Sequence, residues 1–280
     1  MSFQRGNIIK RAFNEKKSLK GIIKGLLVMT SFIITNILIN FKLYNNSRVR
    51  SVYFQLYTFA KRFTDREKFN LINKNITNNF TFLDIGAALG LYVDYVAERL
   101  KRFECGVIYA LEPDPISLLF LNDVLRKHKD VNIKIIKCAA WNKEEIIKFY
   151  ICSQNLGENS ASQSDVHNIE IEVNGRPIDS ILDASQNIDL IKMDIQGAEL
   201  KAIQGMGRVL EGMKRGAQII MECSPDDLLM FDSKPHELIS SLEHSNFEIY
   251  NELGVKINKD YFNKHTPNSF RQEDLICVKN

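Results

Sequence analysis

Acidic residues are nearly missing from the first quarter of this 280-residue chain. Between Met1 and Thr64 only Glu15 stands against 12 lysines and arginines, a net charge of +11, while residues 65–280 carry −8. An arm so depleted in carboxylates does not suit a cationic partner. It suits phosphate, on a membrane or on a nucleic acid. Cysteine is also sparse: five residues, odd in number and scattered, with no C-x-x-C pair. That excludes a disulfide framework and a zinc ribbon, and it reads as buried, reduced thiols in a cytosolic protein. No metal is expected. Internal repeats and low-complexity tracts are absent, and so is the small-residue cleavage site of an ordinary signal peptide. The dinucleotide turn G-x-G-x-x-G is missing as well, which argues against pyrophosphate lying on a helix start.

What remains is a chain of 45% apolar and 25% charged residues, close to an average soluble globular protein. Its most apolar segment is KGIIKGLLVMTSFIITNILINFKLY. From Ile22 to Ile39 the run approaches the roughly 20 residues of a bilayer span. Lys24, Ser31, Thr35 and Lys42, however, fall on one narrow stripe of a helix. Three readings of 22–43 follow: a transmembrane span, a helix lying in the membrane interface, or a helix docked on the body. Charge is heavier before the run than after it, so a span would put the body outside the cytoplasm. Surface attachment of a cytoplasmic protein is therefore the expectation. Tyr53 to Lys74 reads as a helical connector.

After Phe80 strands and helices alternate. FTFLDIGA, GVIYALEPD, VNIKIIKCAAW, IDLIKMDI and AQIIMECSP read as strands. The segments between them, GAELKAIQGMGRVL included, read as helices of 10–15 residues, and EIIKFYIC with IEIEVNGRPI reads as a side sheet. This pattern predicts an α/β domain, a mostly parallel sheet with helices on both faces. It spans 65–280 and follows a leader over 1–64. Ligands of such sheets bind beyond the carboxyl ends of the strands.

The turn after the first strand reads D-I-G-A-A-L-G, with Asp84 closing the strand and glycines at Gly86 and Gly90. A carboxylate there repels pyrophosphate and suits a cationic ligand. Glu112, at the end of the second strand, can accept both hydroxyls of a ribose. Together they describe a nucleoside with a positive tail, which S-adenosylmethionine fits better than NAD.

These blocks resemble the FkbM family of S-adenosylmethionine-dependent methyltransferases. FLDIGAALGLY is similar to the family's first motif, and YALEPDPISLLFLNDVL to its glutamate–proline strand end. CAAWN, IDLIKMDIQGAELKAIQGM and IIMECSP follow in order. The resemblance covers 65–280 and implies a Rossmann-like class I methyltransferase fold with S-adenosyl-L-methionine as cofactor. It further implies an O-methyltransferase acting on a hydroxyl of a sugar, glycan or lipid-linked acceptor. Asp84, Gly86 and Gly90 would line the methionine end, Glu112 would hold the ribose, and Ala139 and Ala140 would leave room beside the adenine. Asp194 would face the methyl group and the acceptor. The chain departs from the family's motif at Ala88, where Asn is common, and at Val93, where a hydroxyl residue is common.

An acceptor hydroxyl must lose its proton as it attacks, and a positioned carboxylate can take it. Asp194 is the first choice, with Glu199 and Glu222 expected around the same cleft. The structural alternatives are a helix cap for Asp194, a dipole partner for Glu199 and a partner of Lys192 for Glu222. His167 lies in a serine-rich loop, SASQSDVHN, that could cover the acceptor. Two other readings stay open: a membrane-tethered binding module without turnover, and an NAD-dependent oxidoreductase. Nucleic-acid methylation ranks below them, because the body is acidic.

Overall fold

The computed structural model describes residues 30, 33–103, 105–152, 159–162, 167–183, 186–263 and 272–280. Lys24, Ser31, His265 and the middle of the serine-rich loop lie outside the described residues, as does the side chain of His167.

Eight strands form the main sheet, in the order β10-β9-β11-β8-β7-β1-β2-β3. β1 (Phe80–Ile85) sits between β2 (Gly106–Leu111) and β7 (Leu190–Met193), parallel to both. β3 (Asn132–Ile136) extends the parallel set on one side and β8 (Gln218–Cys223) on the other. β11 (Glu273–Lys279) inserts antiparallel between β8 and β9 (Phe247–Tyr250), with β10 (Lys256–Ile257) at the edge. The order reverses at β1 and β7, where such sheets open a crevice.

All six residues of β1 are buried, as expected for a parallel strand covered on both sides. Its period of two splits the core. Phe80 and Phe82 pack on one face with Leu190 and Ile220, while Leu83 and Ile85 pack on the other with Ile191 and Ile219. On the first face lie α2 (Ser47–Thr64), α3 (Arg66–Asn75) and α4 (Leu91–Leu100). The second is covered by α6 (Glu199–Gln204), α7 (Gly207–Gly212) and α8 (Pro235–His244). α5 (Pro115–Lys127) starts cleanly because Asp114 accepts the Ile116 and Ser117 N–H groups and Pro115 presets the first turn.

Two expected elements are divided. The helix read from GAELKAIQGMGRVL breaks into α6 and α7, because Gly205 lies against the Trp141 carbonyl. A Cβ at Gly205 would sit 2.0 Å from that oxygen. The third strand ends at Ile136, and Ala139–Ala140 (β4) leaves the main sheet to pair with β6 (His167–Arg176). β5 (Glu145–Cys152) pairs antiparallel with β6, completing the side sheet.

The described end of the leader packs on the body. Residues 33–40 form α1, and Leu38 and Ile39 are buried with Tyr53, Leu89, Phe120 and Phe149. The Thr35 hydroxyl lies 2.6 Å from that of Tyr53. α2 is latched to α5 by Arg50, which donates to Asp123 at 2.6 Å. Among the described residues no helix is long and apolar enough to cross a membrane. The described part therefore follows the docked reading of 22–43.

Candidate active site

The alternation that sorts the core also sorts the charges. Asp84 follows Phe82 on the face of α2 and α3. Lys192 stands beside it in register, following Leu190. Glu222 follows Ile220 and pairs across with Asp274. β11 runs antiparallel, so its first residues reach the same end as the last residues of the parallel strands.

Lys192 is the hub. Its Nζ lies 3.7 Å from Asp84 and 3.7 Å from Asp194, and it donates to the Gly86 carbonyl at 3.2 Å. The alternative that paired Lys192 with Glu222 is not what forms: its partners are Asp84 and Asp194. Burial raises the Asp84 carboxyl to about 6, against the pull of Lys192. Among the described residues neither buried Asp84 oxygen has a partner at hydrogen-bonding distance, Lys192 being the nearest cation at 3.7 Å. Burial would also raise Asp194, but Lys192, Lys68 and Lys61, with the Gln196 amide donating at 2.9 Å, hold it below the usual range.

The loop after β1 closes tightly. Gly86 and Ala87 donate to the Leu111 carbonyl at 3.1 and 2.9 Å. Gly86 has φ +76°, and a Cβ there would lie 2.2 Å from the Asp194 carbonyl, so only glycine brings the loop this close to the end of β7. Ala88 adopts φ +46°, a left-handed conformation that costs a residue with a Cβ about 1–2 kcal/mol. Its N–H donates to Glu112 at 2.7 Å, while the Asp114 N–H holds the other Glu112 oxygen at 2.8 Å. Burial and then the Asp114 charge push the Glu112 carboxyl up to about 8 despite those bonds. The Glu112 N–H donates to Ile136 at the end of β3, just before buried Ala140 and half-buried Ala139.

Glu199 and Glu222 part ways. Glu199 is buried, and its Oε1 accepts the N–H groups of Ile195 and Gly197 at 3.2 and 3.3 Å. Burial pushes its carboxyl up to about 7. Glu222 is half-buried beside Lys68 and Asp194. Burial and the charge of Asp194 push it up to about 8, against Lys68 and Lys61.

Sequence reasoning missed a set of residues here. Tyr57 and Lys61 on α2, Asp65, and Lys68 on α3 reach this cluster from outside the motif blocks. Lys68 pairs with Asp274 at 2.8 Å, Lys61 with Asp65 at 3.4 Å, and the Tyr92 hydroxyl donates to Asp65 at 3.0 Å. Tyr53, Tyr57 and Lys61 recur every four residues, a signal readable in the sequence. The described part of the serine-rich loop spans both halves of the site: Asn159 donates to Asp114 at 3.0 Å and Ser160 to the Gln196 carbonyl at 3.4 Å. Trp141 donates to Glu145 and meets Phe231 edge-on. No group of three or more His, Cys, Asp and Glu residues that could hold a metal ion occurs among the described residues.

A parallel sheet reversing at β1, an antiparallel strand beside its last parallel one, and acids closing β1 and following β2 make up the Rossmann-like fold of class I S-adenosylmethionine-dependent methyltransferases. The family model described as "Methyltransferase FkbM domain" matches residues 84–249, and the chain belongs to that family. Over 94 residues it is 36% identical to the protein named "Probable ribosomal RNA small subunit methyltransferase A" of Methanosphaera stadtmanae, covering 33% of this chain and 32% of that one. The chain is also similar to the FkbM methyltransferase structure from Methylobacillus flagellatus KT, at 22% identity and a TM-score of 0.45. That match covers 72% of this chain and 44% of the other. A Streptococcus mutans protein crystallised with SAH is 8% identical, with a TM-score of 0.46 and coverage of 76% and 96%. The matched stretch thus spans about a third of the curated relative and less than half of the Methylobacillus chain.

Proposed function

We propose that the chain is an O-methyltransferase that modifies a hydroxyl of a sugar, glycan or lipid-linked acceptor. Residues 65–280 are the catalytic part, and 1–64 attach a cytoplasmic enzyme to a membrane surface. The observation that carries the proposal is the gathering of Asp84, Lys192, Asp194 and Glu222 on one sheet face at the strand tips.

The residues fit the cofactor. Among the described residues Asp84 has two buried oxygens with no partner at hydrogen-bonding distance, and only Oδ1 has Lys192 near it, at 3.7 Å, which leaves capacity for an ammonium donor. Each Glu112 oxygen accepts one backbone N–H, and in the ionised form the carboxylate keeps a further acceptor position on each oxygen for the hydroxyls of a ribose. When bound, S-adenosylmethionine supplies a methyl group already activated on a sulfonium sulfur. The chain is left with binding, alignment and one proton. Gly86 keeps the loop close to the end of β7, Gly90 lets it turn against Leu121 and Val124 of α5, and Ala139 and Ala140 leave space beside the adenine.

Glu222 is the base. As the acceptor oxygen attacks, its proton passes to this carboxylate, whose value near 8 matches the task at neutral pH. Asp194, held low and paired with Lys192, is a poor base and orients the acceptor instead. Glu199 is a positioning residue, gripping the backbone that carries Asp194. Lys68 and Tyr57 line the acceptor side.

One observation favours a second reading, a binding module without turnover: Lys192 already neutralises part of the acidic cradle. Calorimetry on the full chain separates them. S-Adenosylhomocysteine binding, together with its formation from S-adenosylmethionine and a hydroxyl acceptor, supports the enzyme, and binding without turnover supports the module. No binding at millimolar ligand refutes both.

A further inference from the structure

Among the described residues, eight of the fourteen exposed large apolar side chains fall between positions 33 and 63. On α2 they are Val52, Leu56, Phe59 and Phe63, at offsets of 4, 7 and 11, which is one stripe of a helix. Phe59 is 71% exposed. Ile33 and Ile37 continue the stripe on α1, and Phe41, 73% exposed, and Leu43 join it at the turn between the two helices. An exposed apolar patch of this extent marks a contact surface.

The rim narrows what the contact is. Lys42, Arg48, Arg62 and Arg66 are exposed around the stripe, and none has an ion-pair partner among the described residues. No acid occurs between Lys16 and Thr64. A second copy of the chain is a poor occupant, because a twofold contact sets the same patch against itself and cation against cation. An anionic lipid surface satisfies both features, taking the aromatic side chains among its acyl chains and the arginines among its phosphates.

We infer that the α1–α2 face is a monolayer-docking surface for anionic phospholipid. The inference deepens the membrane attachment proposed above and rests on it. The opposite side of α2 carries Tyr53, which is buried, with Tyr57 and Lys61 reaching the acceptor side of the site. One helix thus carries the lipid-facing stripe on one side and residues of the catalytic cluster on the other.

The test is sedimentation of the full chain with vesicles of phosphatidylcholine alone and of phosphatidylcholine mixed with phosphatidylglycerol. Binding is expected to the mixed vesicles only. The paired change Phe59→Ser and Phe63→Ser should weaken it at least tenfold. Arg48→Ser should weaken it about fivefold. All three side chains are exposed, so S-adenosylhomocysteine binding and thermal stability should be unchanged. If the Phe59/Phe63 variant sediments like the wild type, attachment lies elsewhere in 1–64; the membrane reading then stands and this inference falls. If the wild type ignores both vesicles, both fall. A dimer seen by light scattering and abolished by the same pair of changes would assign the face to a second copy, overturning the inference.

Discussion

Glu112 and Glu222 make the instructive comparison. Both are carboxyls at strand tips, and burial and a neighbouring aspartate push both up to about 8. Their wiring differs. Glu112 is held by two backbone N–H groups, that of Ala88 in the loop between Gly86 and Gly90 and that of Asp114 just after its own strand. Among the described residues Glu222 has no such backbone bonds, and it faces Lys68 and Lys61 from helices outside the sheet. A raised value alone therefore does not assign a role. A carboxyl fixed by two backbone bonds is built to hold something, and one that faces charged side chains instead is placed to exchange a proton.

The comparison breaks most readily at Glu222. Glu222→Gln should lower turnover about 10²–10⁴-fold, the usual size of a general-base contribution. The loss is read as S-adenosylhomocysteine formed from S-adenosylmethionine and a hydroxyl acceptor, while binding of S-adenosylhomocysteine itself should be intact. At Glu112 the expected loss is of binding and of stability together. Glu112→Ala leaves the Ala88 and Asp114 N–H groups without their acceptor. It should cost about 1–3 kcal/mol in urea unfolding and abolish the thermal shift with S-adenosylhomocysteine.

The two carboxyls also predict a pH dependence. Their folded values near 8 exceed the ordinary 4.5, so the folded chain keeps protons that the unfolded chain releases. Stability from this source is full below about 4.5 and is lost as pH rises through about 8. Asp194, held below the ordinary 3.8, acts in the opposite sense and loses its contribution in stronger acid. Thermal melts from pH 5 to 9 should decline, and the decline should shrink in Glu222→Gln. The smallest effect is at Ala88, whose left-handed backbone suits asparagine better than alanine. Ala88→Asn should gain about 1 kcal/mol in the same unfolding measurement.

Much of this was readable in the sequence, because local pattern fixes what period and turn chemistry can fix. The strands FLDI, IDLIKM and QIIMEC, the tight turn at Gly86 and Gly90, and the two strand-end acids Asp84 and Glu112 were all legible. What escaped depends on contacts distant in the chain. Lys192 seeks Asp84 and Asp194, and that choice follows from β1 and β7 being neighbours. Gly205 breaks a helix because Trp141 lies against it. Asp274 enters the site only because β11 runs antiparallel beside β8. Tyr57, Lys61 and Lys68 carry a helical spacing but no motif, and their chemistry appears once α2 and α3 lie over the sheet.

The central claim is that two similar carboxyls divide the labour, Glu112 holding the cofactor and Glu222 taking the proton. Calorimetric titration of S-adenosylhomocysteine into the full chain and the two variants tests it directly, with circular dichroism confirming that each is folded. Binding is predicted to vanish in Glu112→Ala and to persist in Glu222→Gln. Undiminished binding in a folded Glu112→Ala, or its loss in Glu222→Gln, would contradict the account.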